Sequence, residues 1–245
     1  MHRLLVDTEQ LKSDSPILSK DALNHLKVLR PKDGEEIELF DGKGSWRVYR
    51  YGCATKELES SDVHLHLSPS PQPLILFACV MKGSRWDWTI EKATELGVTR
   101  IVPVISARTI VRIDAKDREA KRERWTRIAE EAARQSDAKW IPELLAPVTF
   151  AESLALVKET RCYVGALTTP PPQTIGEALR TSSSLLPPSS FALYVGPEGD
   201  FTQEELASLV AIATPVSFGS TILRAETAAI YGVSAIKTFL DVSAR

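Results

Sequence analysis

Gly196-Pro197-Glu198-Gly199-Asp200-Phe201 and Phe218-Gly219-Ser220-Thr221-Ile222-Leu223-Arg224-Ala225-Glu226 each follow a short apolar run and open a helical pattern. Glycines at such bends let a ligand approach the main chain, and Pro197 stiffens the first bend. Ile222 and Leu223 are apolar residues in a connection, suited to lining an apolar pocket. Arg224 and Glu226 add one charge of each sign. Two strand-to-helix bends at one sheet edge make a ligand site of the α/β type. On spacing alone they also fit two ordinary loops, with Glu226 placed favourably at the positive end of the last helix. Asp200 has the same double reading, as a carboxylate near a cationic ligand or as a charge before a helix.

Several chemistries lack their parts. The chain has no Gly-x-x-x-x-Gly-Lys loop, no Gly-x-Gly-x-x-Gly opening a helix after a strand, no His-Glu-x-x-His and no Gly-x-Ser-x-Gly. Three widely spaced cysteines, Cys53, Cys79 and Cys162, fit neither a disulfide framework nor a zinc site, so reduced thiols and no metal are expected.

The elements that position these bends follow from periodicity. Phe191–Val195 reads as a buried strand, with a capping box over Thr202–Glu205 starting the next helix. Val216–Phe218 reads as a short strand, and Ala229, Val233, Ile236 and Leu240 recur at helical spacing. Upstream, strands are predicted at Leu74–Val80, Ile101–Ile105 and Cys162–Leu167. Helices are predicted around Trp86–Ala93, closed by Gly97, along Trp125–Ala132, and after Thr149 with Glu152. This alternation predicts a parallel sheet with helical crossovers. A Pro-rich loop and the Ser-rich stretch Thr181–Ser190 precede Phe191.

Residues 1–70 read differently. Strands at Arg3–Val6, Glu35–Phe40 and Ser45–Tyr51, the alternating Val63–Leu67, and one helix near Asp21–Leu29 predict a small β-rich barrel. Ser68–Pro73 is a stiff connector, which divides the chain into 1–70 and 71–245.

With 245 residues, 43% of them hydrophobic, the chain can bury a full core. No run approaches membrane-spanning length and the N-terminus is unlike a signal peptide, so a cytoplasmic protein is expected. The net charge of −2 argues against indiscriminate nucleic-acid coating, but residues 100–139 hold eleven Lys or Arg against seven Asp or Glu. These basic residues are candidates for phosphate contact and equally for surface ion pairs on a solvated helix.

The chain resembles the RsmE family on four motifs in order: Lys82–Gly97, Arg122–Ser136, Gly196–Gly199 and Ile222–Ala228, with His25–Arg30 near the start. The family consists of small-subunit ribosomal RNA methyltransferases that use S-adenosylmethionine to methylate N3 of a uridine in 16S rRNA. The resemblance implies a SPOUT-type α/β domain with a C-terminal trefoil knot at 71–245, a PUA-like RNA-binding domain at 1–70, and a homodimer acting on the small ribosomal subunit. It departs from the family at Asp200, usually glycine, at Ser220-Thr221, usually Pro-Arg, and at Ala138, usually arginine.

Carried onto this sequence, the resemblance implies that Leu167, Gly196, Glu198, Gly199, Phe218, Ile222 and Leu223 hold the cofactor. It makes Arg224 the catalytic cation that favours the reactive uridine anion, with Glu226 orienting it or capping the last helix. Arg3, His25, Arg30, Lys82 and Arg85 are the RNA-binding candidates. Two other readings stay open: another SPOUT activity such as tRNA ribose 2'-O-methylation, and a non-catalytic RNA-binding assembly factor.

Overall fold

The structure, a computed structural model, describes residues 1–62, 64–157, 160–181 and 190–243. The chain divides into two units, Met1–Pro71 with Glu130–Ile141, and Gln72–Ala129 with Pro142–Arg245.

The first unit runs β1 (His2–Leu5), α1 (Thr8–Leu11), α2 (Lys20–Leu29), β2 (Glu36–Phe40), β3 (Ser45–Gly52), β4 (Glu57–Ser60) and β5 (His66–Leu67). These strands form a mixed five-stranded sheet in which β1 pairs parallel to β2, while β3 pairs antiparallel to β2, β4 and β5. Leu4, Leu11, Leu26, Ile37, Leu39, Tyr49 and Leu58 make its core. Helix α1, whose start is a capping box between Asp7 and Gln10, and strand β4 stand beyond the elements predicted from the sequence. Of the expected Val63–Leu67 strand, only His66–Leu67 pairs in the sheet, and Val63 lies outside the described residues.

Glu38 is buried in this unit and satisfied by cations. Arg3 Nε donates to its Oε1 at 2.8 Å and Lys139 Nζ to its Oε2 at 2.6 Å. Arg3 also donates to the carbonyls of Ala133 and Ala138 at 2.6 and 3.0 Å, and its guanidinium stacks 4.1 Å from the Phe40 ring centroid. A buried carboxylate needs such partners, because an unpaired buried charge costs several kcal/mol. The segment 130–141 supplies those carbonyls and Lys139, which is the physical reason it belongs with this unit.

The second unit comprises β6 (Leu74–Cys79), α3 (Ser84–Glu95), β7 (Arg100–Ile105), a 3-10 turn (Ala115–Asp117), α4 (Arg118–Gln135, whose end belongs to the first unit), β8 (Glu143–Leu144), β9 (Val148–Thr149), α5 (Phe150–Leu154), β10 (Arg161–Gly165), α6 (Ile175–Thr181), β11 (Phe191–Val195), α7 (Gln203–Val210), β12 (Thr214–Val216) and α8 (Ala225–Ser243). Its seven-stranded sheet is parallel throughout, in the order β12-β10-β11-β6-β7-β8, with β9 also on β7. The central strands β6 and β11 are buried at every position, as expected where both faces of a parallel sheet are covered. One face packs Phe77, Val102, Val164 and Tyr194 against Phe201 and Leu209. The opposite side of the layer includes α8, whose stripe Ala229, Val233, Ile236 and Leu240 is buried.

Local signals explain the boundaries. Gly97 takes φ 79°, and bonds from Gly97 N–H to Thr94 O and from Val98 N–H to Ala93 O close α3 with a Schellman turn. Thr149 with Glu152, and Thr202 with Glu205, form the expected capping boxes. Helix α6 stands where only a Pro-rich loop was expected. Its signal is a reciprocal pair, Thr174 N–H to Glu177 and Glu177 N–H to Thr174 Oγ1. Most of the Ser-rich stretch Thr181–Ser190 lies outside the described residues.

Candidate functional site

The carboxyl ends of β10, β11 and β12 are adjacent, so the connections that follow them meet at one edge of the sheet. They enclose a cleft of about 280 Å3 lined by Gly165, Leu167, Val195, Gly196, Pro197, Glu198, Asp200, Phe218, Ile222, Leu223, Arg224, Ala225 and Ala228. Open α/β sheets bind ligands at this edge. Of the seven residues expected to hold a cofactor, Leu167, Gly196, Glu198, Phe218, Ile222 and Leu223 line the cleft, and Gly199 does not.

Phe218 decides the shape of one wall. The expected strand Val216–Phe218 is instead Thr214–Val216, and Phe218 lies in the connection beyond it. Its ring packs against Gly165: a Cβ there would stand 2.5 Å from Phe218 Cε2. On another side is Gly232 of α8, where a Cβ would lie 3.1 Å from Phe218 Cε1 and 2.5 Å from Leu193 Cδ2. Neither glycine was singled out from the sequence, because a close approach across tertiary structure leaves no local pattern.

The 196–201 bend works differently from the expectation. Neither Gly196 nor Gly199 takes a positive φ; the left-handed residue is Asp200, at 59°. A Cβ at Gly196 would sit 3.0 Å from Asp200 Oδ1 and 3.3 Å from the Phe201 ring, whereas one at Gly199 would meet only Arg108 Cδ at 3.5 Å. Gly196 is therefore the more sterically demanding of the two positions. Asp200 is not the helix cap, since Thr202 has that role. Its Oδ1 accepts the Phe201 N–H at 2.8 Å and its Oδ2 the Leu167 N–H at 3.3 Å, joining the connections after β10 and β11.

A third connection braces the bend. After β7, Arg108 Nη1 donates to Gly199 O at 2.8 Å and Phe201 O at 3.3 Å, while the Ala107 N–H donates to Glu205 at 2.8 Å. The sequence signal for Arg108 was only its place after a buried strand at the same sheet edge.

Arg224 is exposed in the cleft lining and forms no ion pair among the described residues, with Glu226 or with any other carboxylate. Glu226, in the first turn of α8, is 9% exposed and lies outside the cleft lining. Its Oε2 has no hydrogen-bond partner among the described residues. Glu198 accepts from Arg85 Nη1 at 3.2 Å, which brings Arg85, in the first turn of α3, beside the cleft; Lys82 is exposed in the connection just before that helix.

In the first unit, Arg30 is exposed and left-handed at φ 49°, closing α2. His25 lines a polar hollow with His2, Arg134 and Asp137. Arg3 also borders it, but is 7% exposed and bonded to Glu38 and two carbonyls. That burial corrects the expectation of an RNA contact at Arg3. On α4, Arg122 and Arg134 pair with Glu119 and Glu131 of the same helix, while Arg118 and Arg124 reach Glu152 and Asp87 on other elements.

Among the described residues, no three His, Cys, Asp or Glu side chains cluster as metal ligands, and no helix is long and apolar enough to cross a membrane.

A family described as an RNA methyltransferase domain matches residues 68–237, and one described as an RNA methyltransferase PUA domain matches 18–56. The ribosomal RNA small subunit methyltransferase E of Synechocystis is 33% identical over 98% of this chain and 78% of its own length. The chain belongs to the ribosomal RNA small subunit methyltransferase E family. The member from Bacillus subtilis is 30% identical over 96% of both chains. A crystal structure of the Neisseria gonorrhoeae member bound to S-adenosyl methionine is 29% identical, covers 97% of both chains and superposes with a TM-score of 0.82. A Legionella pneumophila protein whose structure holds the same cofactor is 28% identical over 96% of both chains with a TM-score of 0.80. The α/β SPOUT-type domain and the PUA-like domain implied by the family resemblance are thus both present.

Proposed function

We propose that this protein transfers a methyl group from S-adenosyl methionine to N3 of a uridine in 16S rRNA of the small ribosomal subunit. The observation that carries the proposal is the convergence of the two glycine-bearing bends on one cleft, with an unpaired arginine in its lining. Relatives of the same fold bind S-adenosyl methionine, and the residues here fit it. Val195, Phe218, Leu223, Ala225 and Ala228 offer apolar surface for an adenosine end, and Gly196 leaves room that a Cβ would contest. Glu198 and Asp200 supply carboxylates toward a cationic ligand.

The bound cofactor supplies an electrophilic methyl on a sulfonium, displaced in line by the acceptor. This chain's residues have to align that acceptor and make it electron-rich. N3 of uridine carries a proton, which leaves to solvent before attack, and its nucleophilic form is the resulting anion. The Arg224 guanidinium, a fixed positive charge without a competing carboxylate partner, favours that anion. Glu226, buried behind the wall, supports the start of α8 rather than touching the base. His25 and Arg30 in the first unit, and Lys82 and Arg85 in the second, are the remaining RNA contacts. The protein acts in the cytoplasm as a homodimer, and its C-terminal chain threads the trefoil knot typical of its family.

The test is incubation with methyl-labelled cofactor and 16S rRNA or small subunits, followed by nucleoside analysis. 3-Methyluridine supports the proposal. Ribose-methylated product would replace it with another SPOUT activity, and tight RNA binding without incorporation would replace it with an assembly factor.

A further inference from the structure

We infer that Asp200 is a charge selector in the cleft, favouring the cationic methyl donor over the neutral product left after transfer. The inference rests on S-adenosyl methionine being the ligand.

Three charged side chains line the cleft, Glu198, Asp200 and Arg224, and they are not equivalent. Glu198 is offset by Arg85 at 3.2 Å. Arg224 is exposed in the lining and forms no ion pair among the described residues. Asp200 is held only by neutral donors, the N–H groups of Phe201 and Leu167, and forms no ion pair among the described residues. Backbone donors fix a carboxylate in place without cancelling its charge, and Arg108, which braces this bend, bonds the carbonyls of Gly199 and Phe201 and forms no ion pair with Asp200, so the carboxylate keeps negative charge at the wall. Two features fix its direction. The backbone holds the residue at φ 59°, and Oδ1 lies against Gly196, where any Cβ would stand 3.0 Å from it.

The methyl donor carries a sulfonium and therefore one more positive charge than its demethylated product, with an otherwise similar skeleton. Contacts to adenine, ribose and the amino-acid portion favour both nearly equally. A fixed carboxylate within a cleft of about 280 Å3 favours only the donor. At separations of roughly 6–8 Å and an effective dielectric constant between protein surface and water, the Coulomb difference corresponds to about a three- to tenfold preference. Its consequence is easier exchange of spent product for fresh donor at the end of each cycle.

Calorimetric titration tests this with S-adenosylmethionine, S-adenosylhomocysteine and sinefungin, a cationic analogue with no methyl to transfer. The proteins are the unsubstituted chain, Asp200→Asn and Asp200→Gly, each checked by thermal melting. Asparagine keeps the shape and tolerates the left-handed backbone, and glycine adopts it freely. The ratio of product Kd to donor Kd should fall about three- to tenfold in both variants, with sinefungin following the donor, and the preference of the unsubstituted chain should shrink with added salt. A latch between the two connections and nothing more would weaken all ligands alike; an unchanged ratio therefore overturns the inference. If the unsubstituted chain binds none of the three, the cofactor reading itself falls, an outcome distinct from binding without charge preference.

Discussion

Replacing Gly165 with alanine tests whether the cleft owes its shape to one close approach. The new Cβ would stand 2.5 and 2.8 Å from Cε2 and Cζ of Phe218. Ordinary carbon contacts lie near ~3.5–4.0 Å, so the ring has to move by about 1 Å. It cannot simply retreat, because α8 approaches it at Gly232, and Tyr231 holds its own ring 5.8 Å from that of Phe218. The remaining space is the cleft that Phe218 lines. Overpacking of this kind costs about 1–3 kcal/mol. At roughly 2–4 °C per kcal/mol for a chain of this size, the melting temperature should fall by about 2–12 °C. Affinity for S-adenosylmethionine, read by calorimetry, should fall at least about tenfold as the ring enters the cofactor's space. Phe218→Leu added to Gly165→Ala relieves the collision, so the double variant should recover part of the melting temperature, with a non-additive coupling of about 1 kcal/mol or more. A Gly165→Ala protein that melts and binds like the parent would refute the reasoning, since it would mean the wall can yield at no cost.

Arg224→Ala should lower the methylation rate by about 10²–10³-fold, the usual loss when one transition-state charge is removed, with cofactor Kd within about threefold; equal loss in both would move Arg224 from catalysis to binding. Asp41 of the first unit is raised by burial, but N–H bonds from Lys43 and Ser45 at 2.8 and 2.9 Å and the Thr8 hydroxyl at 2.8 Å outweigh this and hold its pKa below the usual 3.8. Its stabilising effect is therefore fully present above about pH 4 and is lost as pH falls through the lower folded value. Asp41→Asn should cost about 1–2 kcal/mol at pH 7 in a denaturant titration, with the gap closing below pH 4; a gap independent of pH would show that the charge is not what the turn uses. Burial pushes the thiols of Cys79 and Cys162 up to about 12, while Cys53 is exposed. One equivalent should react with a disulfide reagent at pH 8 in the native protein, and three only after unfolding, whereas three fast equivalents would contradict the packing of β6 and β10.

Much of this architecture was written in local signals. The apolar run at Phe191–Val195 and the capping boxes at Thr149 and Thr202 act within a few residues, where turn chemistry and burial period suffice. The reciprocal Thr174–Glu177 pair is equally local, but the prolines before it favour a loop. The two bends were legible as ligand-contacting segments because each joins a strand end to a helix start. The sequence alone did not show how they work. Asp200, rather than a glycine, takes the left-handed turn, and Arg108, from a connection 91 residues earlier, holds the carbonyl of Gly199.

From the sequence by itself came the strands and helices, the two bends, and through its motifs the family. Tertiary structure alone decided which glycines matter, that Arg3 is consumed within the first unit, and that Arg224 stands free of Glu226. The physical reason is range. Periodicity and capping are set by neighbours along the chain, whereas the fit of Phe218 against Gly165 and Gly232, and the pairing of Arg3 with Glu38, depend on residues that meet only when the fold closes.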